Sequence, residues 1–403
     1  MQNDYDIIII GAGMVGLACA IALADTPLRI AIIENNSPEF NYSNTSYDLR
    51  VSAINPATLQ MLLQFDVWKN ILAERVGCFK HMFVWSGNST LKFSADIVHR
   101  PELGFIIENR ILRKVLWEKT DQQNNIDILH PIKLTKVEIK ANKAQLFTRD
   151  NKKITSNLLI GADGANSWLR EYLNFSLKTH DYHQHAIVGT VKTEHHHQET
   201  AWQHFLPTGP LAFLPLSEAN YCSIVWSTTI TTAKHLQQID ESYFNREITK
   251  AFTRKLGKVE IQSKRICFPL GMQHLKNYIA PHIAFIGDAA HRIHPLAGQG
   301  VNLGFMDALC LADNIKTMLA KQKNIGVIGN LQNYQGERKY YNMQMLVLMD
   351  LLKNGFSLQS ETLSQLRNLT MDKINNLTLI KSFLTNKAFA LQQLPTNYLP
   401  RLV

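Results

Sequence analysis

Apolar residues fall in two rhythms along the chain. Short unbroken runs at Ile7–Ile10, Ile30–Ile33, Leu158–Ile160 and Ile283–Ile286 predict buried strands. Helical spacing follows most of them: through Leu17, Ala20, Ile21 and Leu23; from Ala57 to Phe65; from Glu108 to Trp117; and past Gly300 through Leu309 and Leu311. Elsewhere the rhythm is two. Residues 78–95 alternate, Ile126 to Thr148 offers three short strands read as a meander, and Ala186 to about Phe268 is read as β throughout, an antiparallel sheet standing apart. Met343–Leu352 is strongly apolar, and Leu366, Leu369, Met371, Ile374, Leu377 and Ile380 recur at near-helical spacing, which predicts a helical C-terminal region.

What ends each buried run is as informative as the run. Ile10 is followed by Gly11-Ala12-Gly13-Met14-Val15-Gly16 and a helix, and the second strand ends in Glu34. This is a dinucleotide-binding βαβ unit: Gly11 permits the tight turn, Gly13 the approach of a pyrophosphate to the backbone, and Gly16 close helix–strand packing. A carboxylate about 20 residues on takes ribose hydroxyls, and Glu34 repels a 2′-phosphate, which favours FAD or NAD over NADP in this pocket. A second passage runs through Gly161-Ala162-Asp163-Gly164, with Asn166 or Ser167 placed to cap the next helix. A third runs Gly287-Asp288, then Pro295 to Gly300, where Gly298 and Gly300 let the backbone approach a flat ligand. The N–H groups of Gly300, Val301 and Asn302 would open a helix toward developing negative charge. Arg50 arrives after the second strand, either as a surface residue or within reach of a cofactor phosphate or flavin.

Length and composition refine this picture. The 403 residues exceed one ordinary core and predict an α/β (α+β two-domain) architecture. Its parts are a discontinuous Rossmann-like nucleotide-binding domain (1–75, 100–180 and 275–330), to which the resemblance given below assigns FAD, an antiparallel β-sheet domain (76–99 and 181–274), to which it assigns the substrate, and a C-terminal helical region (331–403). Five scattered cysteines without a C-x-x-C fit a reducing compartment and argue against a disulfide framework or a zinc site. The run Ile7–Ala24 has an acidic flank and three glycines, so it is read as the nucleotide unit and not as a targeting or membrane segment. Net charge is +9, spread without a basic tail; this leaves ordinary solubility or an anionic surface open and gives no sign of a nucleic-acid partner. Seven histidines crowd residues 180–204, but adjacent residues point different ways, and no metal site is expected.

The three strand–loop–helix passages together resemble the single-component flavoprotein aromatic hydroxylases with the para-hydroxybenzoate hydroxylase-like fold. Asp48–Ile54, Glu108-Asn109, Ala201–Leu216 and His294–Gly304 resemble more narrowly the ubiquinone-biosynthesis hydroxylases of the UbiH/UbiF/VisC type. The resemblance implies FAD as cofactor, NADH or NADPH and O2 as co-substrates, and hydroxylation of an electron-rich ring through a flavin C4a-hydroperoxide. It implies that Arg50 and Asn109 lie near the flavin or its ribityl–phosphate chain, that Asp163-Gly164 serves FAD and nicotinamide nucleotide, and that Asp288 binds the ribityl chain. Pro295, Gly298, Gly300, Val301 and Asn302 would lie beside the isoalloxazine. Phe305-Met306 departs from the leucine and basic residue common in relatives.

A polyprenylated aromatic substrate would need an apolar channel, for which the Phe205–Leu216 passage is the candidate wall, though its composition serves core packing equally well. Subunits of a ubiquinone-biosynthesis complex are implied as partners, and the implied location is cytoplasmic, with peripheral contact at the inner membrane face. Two alternatives stay open: a flavin hydroxylase or dehydrogenase of a small soluble aromatic, and a flavin-binding scaffold subunit with little turnover.

Overall fold

The computed structural model describes residues 4–40, 46–292, 300–357, 385 and 389–398. Pro295, Gly298 and the apolar repeat 366–380 lie outside these residues.

The first sheet carries the nucleotide motifs. Its path runs Ile279–Ala280, Ile283–Phe285, Lys153–Gly161, Tyr5–Ile10, Ile30–Ile33, Ile126–Leu129. All neighbours from Ile283–Phe285 onward are parallel. Ile7, Ile8 and Ile9 are fully buried, which explains an unbroken apolar run where a one-sided strand would alternate. The expected meander is corrected in one respect: Ile126–Leu129 leaves it and pairs parallel with Ile30–Ile33. The antiparallel meander is instead Leu134–Lys140, Lys143–Thr148 and Lys153–Gly161. Hydrophobicity alone could not assign partners, because a buried strand end and a hairpin strand look alike over four residues.

The second sheet has nine strands and is antiparallel but for one pair, Thr200–Leu206 with His81–Ser86. Its longest strand, Leu177–Thr193, is bulged between Asp181 and Gln184. The continuous β reading of 186–268 is corrected too: helices Ile230–Gln238 and Glu241–Ala251 interrupt it. Thr229 caps the first through Thr232 N–H and Asp240 the second through Tyr243 N–H. These helices bury one face of the sheet, where Trp85, Trp202, Leu211, Phe213, Phe244 and Phe252 pack together.

That packing changes the candidate channel wall. Side chains alternate across a strand, so Leu211 and Phe213 point under the helices, away from Ala212 and Leu214. Only half of the Phe205–Leu216 passage can face a substrate.

Val51–Ile54, Val76–Phe79 and Gly104–Glu108 form a small third sheet. Helix Gly300–Ala320 packs across Met14–Ala22 and carries the chain to the long helix Ile328–Ser357. Phe305 and Met306 on it are fully buried.

Candidate functional site

Adjacent parallel strands end at one edge, and their loops open side by side there. Ladder hydrogen bonds continue into the loops: Gly11 N–H donates to Ile33 O at 2.8 Å, Ala162 N–H to Ile10 O at 2.9 Å and Ile286 N–H to Gly161 O at 3.0 Å. The three passages distant in sequence thus converge because Tyr5–Ile10, Lys153–Gly161 and Ile283–Phe285 are neighbours in the sheet.

A cleft of about 830 Å³ opens along this edge, lined by Gly11, Gly13, Glu34, Arg50, Asn109, Asp163 and Gly164 among others. Gly11 adopts φ +106°, a left-handed turn that a side chain would strain. Gly13 precedes helix Met14–Ala22, and a Cβ there would meet no atom within 4 Å. The space beside it is a cradle for a ligand at a helix N-terminus.

Glu34 closes the glycine turn. Its Oε2 accepts from Ala12 N–H at 2.9 Å, and its Oε1 accepts from Asn36 N–H at 3.3 Å. Arg113 joins both groups: Nε donates to Ala12 O at 3.0 Å and Nη2 lies 3.4 Å from Glu34 Oε2. The sequence reading missed Arg113, although it sits one helical turn after Asn109 on helix Asn109–Asp121 and so shares its face. It also missed Asp48, whose carboxylate accepts from the N–H groups of Arg50 at 3.1 Å and Arg110 at 3.2 Å. Arg50 itself is exposed at the cleft. Asn109 Oδ1 accepts from Ser52 Oγ at 2.7 Å.

Asp163 stands at the centre of the edge. Its Oδ2 accepts from Leu169 N–H at 3.2 Å, while Oδ1 is buried without a protein partner. Desolvation raises its carboxyl above the ordinary value, against hydrogen bonds from Ser167 and Leu169. A buried acceptor with no protein donor at the cleft is free to accept from a polar ligand group or a water. Ser167, and not Asn166, caps helix Trp168–Tyr172 by accepting from Arg170 N–H at 3.1 Å.

Gly287 and Asp288 continue the edge. Asp288 reaches solvent. Crowding by protein atoms raises its carboxyl nonetheless, against the pull of His291, Arg292 and Arg50. The direct solvent contact limits that effect. The chain then crosses to the second sheet, where His291–Arg292 pairs with Gln273 and His274, so the two sheets meet just past Asp288.

Gly300 and Val301 begin helix Gly300–Ala320 as expected, but the Asn302 side chain is structural. It is buried; Nδ2 donates to Ala53 O at 2.7 Å, and Oδ1 accepts from Thr58 Oγ1 at 2.8 Å and Asn55 N–H at 3.2 Å. It locks the loop–helix passage to the strand that follows Arg50, so only its backbone remains for a ligand. Asn302→Ala would orphan these groups and is expected to destabilise the fold by about 1–3 kcal/mol, measurable by urea unfolding of the apoprotein.

The histidine-rich stretch is used in backbone bonding. His197 Nε2 meets Glu218 O at 3.1 Å and His204 Nδ1 meets Ala251 O at 2.7 Å. Among the described residues no group of three or more His, Cys, Asp or Glu could hold a metal.

A glycine cradle, a helix N-terminus, an acid at the second strand's end and a carboxylate oxygen without a protein donor suit an elongated dinucleotide, and they define the class as dinucleotide-binding. Residues 4–347 match the family model described as FAD binding domain. The fold is shared with p-nitrophenol 4-monooxygenase PnpA of Pseudomonas putida DLL-E4, at TM-score 0.79, 16% identity and coverage of 96% of this chain and 99% of that one. It is shared also with aklavinone-11 hydroxylase in a ternary complex with FAD and aklavinone, at TM-score 0.69, 18% identity and coverage of 88% and 70%. Two relatives narrow the family. The mitochondrial ubiquinone biosynthesis monooxygenase COQ6 of Xenopus tropicalis is 32% identical over 94% of this chain and 91% of its own. The 3-demethoxyubiquinol 3-hydroxylase of Escherichia coli K12 is 33% identical over 91% and 94%. The chain belongs to the family of FAD-dependent ubiquinone-biosynthesis hydroxylases.

Proposed function

We propose that this protein hydroxylates the aromatic ring of a polyprenylated phenol or quinone precursor in ubiquinone biosynthesis, using NADH or NADPH and O2. The observation that carries the reading is the convergence of three strand-end loops at one edge, in a chain matching ubiquinone-biosynthesis enzymes over nearly its whole length. Bound FAD supplies the hydride acceptance and oxygen activation that no side chain offers.

The roles proposed for the chain are binding, orientation and exclusion of water. Gly11, Ala12, Gly13 and Gly16 cradle the pyrophosphate at the helix N-terminus. Glu34, held by Arg113, receives the adenosine ribose. Arg50 and Asn109 flank the phosphate–ribityl span, and Asp163 with Gly164 meets it through the orphaned Oδ1. Asp288 binds the ribityl hydroxyls. The N–H groups of Gly300, Val301 and Asn302 stand at the start of helix Gly300–Ala320, where the helix dipole stabilises negative charge on the ring system. Pro295 and Gly298 complete this segment by resemblance. Val225, Leu270 and Met272 pack together on the second sheet, and Met272 also packs on Leu303 and Leu346, so the apolar seam between sheet and helices is the proposed binding region for a prenyl tail.

Oxidation of NADH or NADPH by the FAD-loaded protein is expected to rise several-fold with a short-chain prenylated phenol, the product gaining one atom from 18O2. Equal stimulation by an unprenylated phenol would point to a small soluble aromatic, and oxidation without label incorporation to a dehydrogenase.

A second reading, membership of a biosynthetic complex or contact with a membrane surface, is favoured by Tyr340, Met343 and Val347. They lie exposed at helical spacing on Ile328–Ser357. No helix among the described residues is long and apolar enough to cross a membrane. Asp288→Ala is expected to abolish complementation of a strain lacking the protein; full complementation without flavin would favour the scaffold role.

A further inference from the structure

Directly behind Gly287 and Asp288 lies a buried charge cluster that the proposed chemistry does not use. Asp307, two turns into helix Gly300–Ala320, is fully buried. Its Oδ2 accepts from Gly287 N–H at 3.0 Å and from His291 Nε2 at 2.5 Å. Its Oδ1 accepts from Arg338 Nε at 2.7 Å and Asn342 Nδ2 at 3.1 Å. Four donors saturate the carboxylate.

Arg338, from the long helix Ile328–Ser357, is fully buried as well. Its Nη1 donates to Gln393 Oε1 at 3.0 Å, and its Nη2 to Asn342 Oδ1 at 3.0 Å and Leu303 O at 3.4 Å. One side chain thus joins the loop-bearing helix to the C-terminal segment Leu391–Gln393.

Burial opposes charge on Asp307, but His291 and Arg338 overcome it and hold the carboxyl below its usual range. Such a pair is a weak device for stability, since apolar residues of similar volume often do as well. Its placement suggests another use. Gly287 has φ +60° and immediately precedes Asp288, so whatever fixes its N–H fixes the direction in which Asp288 leaves the strand.

We propose that Asp307 is a positioning residue for cofactor binding: by accepting the Gly287 N–H it sets the turn that presents Asp288, and Arg338 holds the carboxylate in place from the C-terminal helix. The proposal rests on the assignment of Asp288 to the ribityl chain.

A double-mutant cycle on FAD affinity tests it, with wild type, Asp288→Ala, Asp307→Asn and the double variant prepared as apoprotein and titrated with FAD by flavin fluorescence. Asparagine keeps the shape but cannot take four donors. Asp307→Asn is expected to raise the Kd for FAD roughly tenfold in the wild-type background, as for loss of one strong positioning contact, and less than about twofold once Asp288 is alanine. Arg338→Lys keeps the charge but not the fork that spans Asp307, Asn342 and Gln393, and is expected to show the same dependence on Asp288. It carries the test if Asp307→Asn does not fold.

Equal losses in both backgrounds, or an unchanged Kd alongside a lowered unfolding midpoint, would overturn the proposal and leave the cluster a purely structural role. An unchanged Kd for Asp288→Ala alone would overturn the ribityl assignment as well, and that single variant tells the two failures apart.

Discussion

Gly16→Ala is expected to yield protein that retains almost no FAD. A Cβ at this position would sit 2.1 Å from Gly11 O and 3.3 Å from Ala162 Cβ. The first contact is to backbone in the tightest part of the turn, so relief requires helix Met14–Ala22 to move away from the strand end. That displaces the N–H groups at the helix start from the pyrophosphate, and a loss of about 3 kcal/mol corresponds to more than a hundredfold in affinity. Gly13→Ala is the informative companion. Its Cβ has open space in the protein itself, so the apoprotein should unfold at the wild-type urea concentration while FAD affinity still falls. Absorbance of bound flavin after desalting, set beside urea unfolding of the apoprotein, separates the cases. Normal FAD retention by Gly13→Ala would mean that the pyrophosphate does not pass there.

Arg338→Met is expected to be the most destabilising single change in the C-terminal half. It leaves Asp307 buried with a negative charge, and removal of one partner from a buried ion pair costs about 3–5 kcal/mol. The pH dependence follows from the direction of the Asp307 shift. Its folded-state value is about 2 against an ordinary 3.8. A depressed carboxyl contributes stability that is complete above the unfolded value and lost as pH falls through the folded one. In urea titrations the gap between wild type and Arg338→Met should therefore be full at neutral pH and shrink as pH drops from about 4 toward 2. A gap that stays constant over that range would show that Arg338 acts by packing alone.

Much of the nucleotide end was legible in the sequence because its constraints are local. A buried strand must be apolar, a tight turn needs glycine, and a helix N-terminus follows directly; Gly11 to Gly16 and Glu34 announce all three. Asp163 and Asp288 were legible for the same reason, each standing just past a buried run. The partners that hold these residues were not. Arg113 and Arg338 read as ordinary helix arginines, since a single charged residue does not disturb helical periodicity, and their partners Ala12 and Asp307 lie 101 and 31 residues away. Asn302 announced a helix start but not the three buried groups it satisfies. The helices over 230–251 were hidden by the strand-rich stretches on either side, though Thr229 and Asp240 were usable cap signals. The apolar strand within Phe205–Leu216 was legible from its composition, but which alternate residues lie under the helices depends on register and on the helices behind the sheet.

The strand order also sets a schedule for biosynthesis. Tyr5–Ile10 leaves the ribosome first, yet its two neighbours in the sheet are Ile30–Ile33 and Lys153–Gly161, and the latter waits in turn for Ile283–Phe285. At roughly 5–20 residues per second, the glycine turn at Gly11 spends many seconds without the strand that will carry Asp163. It waits longer still for Asp288, and for Arg338 and Gln393 behind it. The nascent chain therefore exposes this apolar strand well before a complete FAD cleft exists. FAD can assist maturation only after Asp288 has emerged, and scarcity of FAD in the cell should lower the yield of folded protein rather than the speed of its synthesis.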